Sequence, residues 1–221
     1  MKFRKPHFWD LKKPNFNSII LIPFTILIKI NNFFLNLKSK KNHQKLKTIC
    51  IGNIYIGGTG KTPTTIKLYN MLKNLNINIS TAKKLYSSQN DERIILEKET
   101  NLISGINRNE IINKAIKEKK ELIIFDDGLQ DKYISYDLQF VCFDAKNWIG
   151  NGKLIPAGPL RENLESIRKY DLIFLKNIDE NTNELINLIT EDNSKVNIKG
   201  IEGNTQPELC IEFGGVPNAA K

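Results

Sequence analysis

The sequence predicts an α/β fold in which a parallel sheet is covered on both faces by helices. Three observations predict it. Short apolar runs recur without strict alternation, amphipathic stretches separate them, and a glycine-rich loop joins the first run to the first stretch. At 221 residues the chain can build one substantial core or one domain with appendages. No internal repeat is evident.

The elements read in order as follows. Residues 1–47 form a basic arm with eleven Lys or Arg residues and one acid, Asp10. The formal total is +9, so Thr48 onward is close to neutral. The arm also holds the most apolar stretch, Ile19–Ile28, with Phe33, Phe34, Leu35 and Leu37 beyond it. That stretch is shorter than the roughly 20 apolar residues that span a bilayer, and it lacks a secretory cleavage site. The pattern fits an amphipathic, membrane-associated N-terminal helix. Lys38, Lys40, Lys41, Lys45 and Lys47 would meet anionic lipid, and Phe8 and Trp9 would sit at the same depth. The alternative is a helix packed on the domain, followed by a solvated Lys-rich linker.

Lys47–Asn53 reads as a strand and Lys61–Leu75 as a helix, with Pro63 tolerated in its first turn. Ile66, Tyr69 and Leu72 or Lys73 mark the inner face of that helix, broadened by Leu68, Met71 and Leu75. Ile77–Thr81 is a second strand, and Ile94–Leu96 is a short candidate. Asn109–Lys119 is a helix with Ile111, Ile112, Ala115 and Ile116 inside. Leu122–Phe125, Phe140–Phe143 and Leu172–Leu175 are further strands, and Asn183–Ile189 is a short helix. A single α/β body over 48–200 follows the arm. Residues 201–221, polar and Gly-rich, are expected to be irregular.

Composition excludes some chemistry. Cys50, Cys142 and Cys210 show neither paired nor metal-like spacing, which suits a reducing compartment. The two histidines, His7 and His43, are both in the arm. The abundance of Lys and Asn reflects an AT-rich coding bias. With the charge confined to the arm and no aromatic platform beside it, no nucleic-acid partner is expected. No protein partner is indicated either.

Four constellations can carry chemistry. Gly52–Thr62, GNIYIGGTGKT, is a phosphate-binding (P-) loop between a strand and a helix. Gly57, Gly58, Thr59, Gly60 and Lys61 would wrap the phosphates of a nucleoside triphosphate. Backbone N–H groups and the helix N-terminus favour the anion. Lys61 supplies a point charge and the Thr62 hydroxyl a Mg²⁺ ligand. The strict pattern wants glycine where Tyr55 stands, and Gly57-Gly58 supplies the turn instead. Asp126 and Asp127 follow a strand in DDGLQ. One acid suits the metal and the other suits water, Lys61 or substrate. The rigid segment Lys153–Glu162, KLIPAGPLRE, presents Arg161, whose planar fork fits phosphate or carboxylate. Gln130 and Arg161 are the candidate substrate contacts. In Asn90-Asp91-Glu92 an acid could activate an acceptor hydroxyl, although spacing alone does not separate it from a solvated loop.

The loop GNIYIGGTGKTP, then DDGLQ, then GNGKLIPAGPLRE resemble, in that order, the tetraacyldisaccharide 4'-kinase family. The resemblance covers about Phe8 to Asn177. It implies a P-loop fold on the cytoplasmic face of the inner membrane of a Gram-negative bacterium. It also implies transfer of the ATP γ-phosphate to the 4'-hydroxyl of a tetraacyldisaccharide 1-phosphate, in lipid A biosynthesis. The same resemblance gives Tyr55, Ile56, Gly57, Gly58, Thr59, Gly60, Lys61 and Thr62 the phosphates of ATP, Asp91 the role of activating the acceptor hydroxyl, Thr62, Asp126 and Asp127 the Mg²⁺, and Lys61 and Asp127 a part in catalysis. Arg108 resembles the arginine that precedes the family's next helix.

The sequence departs from the family's pattern in places. Ser-Arg-Gly-Tyr-Gly stands here as Thr81-Ala-Lys-Lys-Leu-Tyr86, and the His after Asp-Asp-Gly-Leu-Gln is Asp131. The family's second, smaller domain, with a His paired to the catalytic Asp, has no match in the tail, so that domain is expected to be missing from this chain. Two other functions suit the same motifs: a nucleotide-binding remnant without transfer, and a P-loop ATPase or GTPase switch.

Overall fold

β1 (Lys47–Gly52) is buried at every position after Lys47, because Ile49, Cys50 and Ile51 are covered on both faces. The computed structural model describes residues 5–36, 46–85, 90–131, 134–177, 196–201 and 208–213. The expected helix at Asn183–Ile189 and the lysines from Lys38 to Lys45 lie outside them. Two compact units emerge: residues 39–52 with 60–140, and residues 1–38, 53–59 and 141–221.

Among the described residues the unit built on 60–140 holds four whole strands in the order β3-β2-β4-β1. The others are β2 (Ile79–Lys84), β3 (Leu102–Gly105) and β4 (Leu122–Asp126), and every pairing is parallel. The register sets Ile51 opposite Asp126 and Ala82 opposite Phe125, so the carboxyl ends of β1, β2 and β4 lie together. Ligands of open parallel sheets bind at that edge.

The helices of this unit follow from their caps and apolar stripes. Below, α1 and α2 denote two helices of the arm, described with the other unit. α3 (Lys61–Lys73) starts at Gly60, whose φ of 84° is left-handed and suits glycine. Its buried stripe is Thr62, Thr65 and Tyr69. Met71 and Leu75, expected inside, are 57% and 69% exposed, because the stripe turns away from them after Tyr69. α5 (Arg108–Lys117) has a reciprocal cap: the Asn107 side chain accepts from Glu110 N at 2.9 Å, and Glu110 Oε2 accepts from Ile106 N at 2.9 Å. Ile111, Ile112 and Ala115 are fully buried, whereas Ile116 is partly exposed.

Ile94–Leu96, expected as a strand, lies within α4 (Asn90–Glu99). Asp91 and Glu92 occupy its first turn, where acids favour the helix dipole, and Arg93 pairs with Glu97 one turn on at 3.0 Å. Only Leu96 of the Ile-Ile-Leu run is fully buried. The neighbouring strand is β3, four residues long and outside the expected set.

In the other unit β6 (Leu172–Lys176) lies beside β5 (Leu138–Asp144, which enters this unit at Val141). β8 (Glu208–Phe213) pairs antiparallel with β6, and β7 (Val196–Ile201) pairs antiparallel with β8. This corrects the expectation of an irregular segment there. Leu209, Cys210 and Ile211 give β8 a strand-forming centre despite the glycines around it.

The arm belongs to this unit. α1 (Phe16–Leu21) is capped by Asn15, whose side chain accepts from Ser18 N. A 3-10 turn at Ile22–Phe24, containing Pro23, leads into α2 (Thr25–Asn36). Trp9, expected at membrane depth, is 2% exposed, and its indole N–H donates to Pro156 O at 3.0 Å. Packing satisfies both ends of that ring, so it anchors the arm to protein. Phe16, Leu27 and Phe34 are instead 74%, 66% and 61% exposed. Among the described residues no helix is long and apolar enough to cross a membrane.

Candidate active site

At the start of α3 the P-loop brings two residues to the carboxyl end of β4. The Thr62 hydroxyl donates to Asp126 Oδ2 at 3.2 Å, and Lys61 Nζ lies 3.8 Å from Asp127 Oδ2. Asp127 holds a left-handed φ of 53°, an uncommon conformation for a residue with a side chain. Its backbone fixes that turn: Asp127 N donates to Ile51 O at 2.8 Å, and Asp127 O accepts from Arg108 Nη2 at 2.7 Å. Arg108 also pairs with Asp131. Gly128 completes the turn, because a Cβ there would lie 2.7 Å from the Tyr136 hydroxyl and 2.8 Å from Cys50 Sγ.

Asp126 is 3% exposed and would be costly as a lone charge. Its partner is Lys83 of β2, 2% exposed, whose Nζ donates to Asp126 Oδ2 at 2.6 Å and to Glu92 Oε2 at 2.6 Å. Burial alone works against the Lys83 charge, but Asp126 and then Glu92 outweigh it and raise its pKa above the ordinary 10.5. The ammonium is therefore fixed at neutral pH. Strand β2, strand β4 and the first turn of α4 are tied through this one side chain.

In the other unit the first part of the P-loop is braced from outside. Asn53 Nδ2 donates to Tyr55 O at 2.6 Å and Gly57 O at 3.2 Å, holding the chain in its turn. Tyr55 is buried, and its ring carries Lys5 Nζ at 4.9 Å from the centroid. The Tyr55 hydroxyl accepts from Lys5 and donates to Asp10, both at 2.6 Å. Residues 150–162 support the same stretch. Ile56 N donates to Pro159 O at 2.9 Å, Arg161 N donates to Ile54 O at 2.7 Å, and Tyr55 packs with Leu154 and Leu160. Asn151 fastens the arm there, donating to Ala157 O, to Phe8 O and to Ser18 Oγ. Ser18 Oγ donates in turn to Ala157 O at 2.6 Å.

A glycine loop ending at a helix N-terminus, with a Lys, a Thr and a buried acid on the next strand, is the arrangement of a nucleotide phosphotransferase. The family model described as Tetraacyldisaccharide-1-P 4'-kinase matches residues 18–90 and 78–213. The chain belongs to the tetraacyldisaccharide 4'-kinase family. This is a family of ATP- and Mg²⁺-dependent kinases of lipid A biosynthesis.

A tetraacyldisaccharide 4'-kinase of Pelagibacter ubique is 46% identical over 99% of this chain and 71% of its own length. One from Rickettsia conorii is 30% identical over 99% of the chain and 73% of its own length. The solved LpxK from Aquifex aeolicus, described as an "apo" form in complex with ATP, shares the fold at a TM-score of 0.61 and 21% identity. That match covers 73% of this chain and 66% of the solved one, so the chain spans about two thirds of its length.

Among the residues expected from the tetraacyldisaccharide 4'-kinase motifs, the structure brings together Lys61, Thr62, Asp126 and Asp127. Asp91 is exposed in the first turn of α4, one residue before the Glu92 that reaches Lys83. Gln130 is half-buried after the β4 turn, and Arg161 is half-buried beside Ile54. The Tyr55 side chain faces Lys5 and Asp10, which leaves its backbone for the loop. Sequence reading gives Lys83 no role and names Glu92 only as an acid beside Asp91, not as a partner of Lys83. The sign of Lys83 is a pair of cations, Lys83-Lys84, closing a strand whose other residues are small or apolar.

Proposed function

We propose that this chain transfers the γ-phosphate of ATP to the 4'-hydroxyl of a tetraacyldisaccharide 1-phosphate at the cytoplasmic face of the inner membrane. The observation that carries the reading is the cluster of Lys61, Thr62, Asp126 and Asp127 where the P-loop meets β4. The loop amides from Tyr55 to Lys61 hold the phosphates. Lys61, 3.8 Å from Asp127, is placed to swing its charge onto the transferring oxygens. The donor set suits Mg²⁺, with a hydroxyl from Thr62 and carboxylates from Asp126 and Asp127. Among the described residues no three His, Cys, Asp or Glu side chains form a metal cluster. When bound, Mg²⁺ neutralises charge that develops on the phosphoryl oxygens.

In the transfer the acceptor oxygen forms a bond to the γ-phosphorus as the bond to the bridging oxygen breaks, and ADP departs. The hydroxyl proton passes to Asp91, whose helix turn is held to the site through Glu92, Lys83 and Asp126. The arm lies along the membrane interface with Phe16, Ile20, Leu27 and Phe34 toward the acyl region, where the lipid acceptor resides. Trp9 and Ser18 hold it to the protein.

The test is ATP binding and phosphorylation of the micellar acceptor by the full chain and by Lys61→Ala. Loss of both in the variant supports the assignment, and unchanged affinity and rate refute it.

A further inference from the structure

The segment ahead of the arm helices meets the phosphate-binding loop at one side chain. Lys5 and Asp10 flank a 3-10 turn at His7–Trp9, in which Trp9 N donates to Pro6 O at 3.1 Å and Asp10 N donates to His7 O at 3.2 Å. The turn brings its two ends back together, and Lys5 Nζ pairs with Asp10 Oδ1. Trp9, between them in the chain, is 2% exposed. Its indole N–H donates to Pro156 O at 3.0 Å, and its carbonyl accepts from Asn151 N at 2.9 Å. The buried ring fastens the turn, so Lys5 and Asp10 are presented as a fixed fork.

The fork closes on the Tyr55 hydroxyl, which accepts a hydrogen bond from Lys5 and donates one to Asp10, both at 2.6 Å. Burial, and then the bond to Asp10, raise the Tyr55 pKa, so the phenol keeps its proton at neutral pH and serves as the donor. Burial works against the Lys5 charge, but the bonds to Asp10 and Tyr55 outweigh it. A phenylalanine would fill the same space. What the hydroxyl adds is a link to two charged groups, which fixes where the ring lies.

The ring in turn supports the loop. A Cβ on Gly57 would stand 3.0 Å from Tyr55 Cε1 and 3.4 Å from Cδ1, so the Gly57 backbone rests against the ring edge. Gly57 O accepts from Thr59 N at 3.1 Å and from Asn53 Nδ2 at 3.2 Å. Contact therefore runs from Lys5 and Asp10, through the Tyr55 ring, to Gly57 and the turn after it. Successive backbone amides bind an anion only while they converge on it, so what fixes Gly57 bears on phosphate affinity.

We propose that Lys5 and Asp10 are positioning residues for nucleotide binding: acting through Tyr55, they hold Gly57 and the amides after it in the conformation that receives the phosphates. This rests on the phosphate-loop reading and extends it to two residues outside the loop. The test is calorimetric titration of the full chain with ATP and Mg²⁺, alongside thermal melts. Tyr55→Phe keeps the ring against Gly57 and deletes only the hydroxyl, whereas Asp10→Ala and Lys5→Met each delete one arm of the fork.

Each single change should weaken ATP binding about three- to tenfold, a part of what a charge-assisted hydrogen bond contributes. The bonds are only part-buried, so Tm should fall by no more than about 4 °C. Adding Asp10→Ala to Tyr55→Phe should weaken ATP by less than about twofold further, because the hydroxyl is the shared route. In turnover the ATP KM should rise by the factor seen in binding while the acceptor KM moves by less than about twofold, a split that a general loss of stability does not produce. Folded variants that bind ATP within about twofold of wild type overturn the proposal, and so does a double variant whose losses multiply. A wild-type chain that binds no ATP overturns the phosphate-loop reading itself, and the proposal with it.

Discussion

Replacing Lys83 by methionine removes a buried cation that two carboxylates share while keeping most of its apolar stem. The Asp126 side chain is 0% exposed and the Lys83 side chain 3%, with Nζ and Oδ2 2.6 Å apart. Breaking a buried pair by deleting one partner costs about 3–5 kcal/mol, because the survivor is left uncompensated. Among the described residues Asp126 would keep the hydroxyls of Thr62 at 3.2 Å and Thr65 at 3.5 Å as hydrogen-bond partners. Glu92 is 44% exposed, so its half of the bridge adds at most about 1 kcal/mol. For a chain of this size each kcal/mol moves Tm by about 2–4 °C, so Lys83→Met should melt about 6–20 °C lower. Urea denaturation followed by circular dichroism at neutral pH measures the same loss. Adding Asp126→Asn removes the stranded charge, and the double variant should recover at least half of the stability. A single variant within about 1 kcal/mol of wild type, or a double variant whose costs simply add, would refute this account of the bridge.

Other predictions follow from the same geometry. Lys83 has a raised pKa, so its contribution is fully present below its unfolded value of 10.5 and is lost as pH climbs through the higher folded value. The stability gap between wild type and Lys83→Met should be flat from about pH 7 to about pH 10 and shrink only above that. A gap that closes below pH 9 contradicts the assignment. Gly128→Ala puts a methyl against Tyr136 and Cys50, and should cost about 1–3 kcal/mol in a urea titration. A neutral result would show that the turn has slack. Leu27→Glu with Phe34→Glu changes only exposed side chains, so Tm should hold while co-sedimentation with anionic vesicles falls sharply. Undiminished vesicle binding would remove the apolar face of α2 as the anchor.

The parallel strands and the P-loop were legible because their signals are local. β1, β2, β4 and α5 lie within a few residues of their expected positions, since buried apolar runs and an apolar helical stripe are written in neighbouring residues. α4 was misread because Ile94-Ile95-Leu96 has the composition of a strand, while its helix is set by flanking charges and by one buried leucine. β8 was missed because glycines surround a strand that tertiary pairing with β6 completes. At the site, Lys61, Thr62, Asp126 and Asp127 came from motifs. Lys83 became visible only when β2 lay beside β4, because its meaning is the carboxylate across the sheet. Trp9 shows the converse: an aromatic in a basic arm suggested lipid, and its partner, Pro156 O, lies far along the chain.

The most direct test of the central claim is the structure of the product. The full chain, given γ-labelled ATP, Mg²⁺ and tetraacyldisaccharide 1-phosphate, should yield ADP and a lipid with two phosphates. Proton–phosphorus correlation spectroscopy should place the new phosphate at the 4'-position. Lys61→Ala should yield none. Release of inorganic phosphate without a phosphorylated lipid, or a phosphate on a different hydroxyl, would contradict the account.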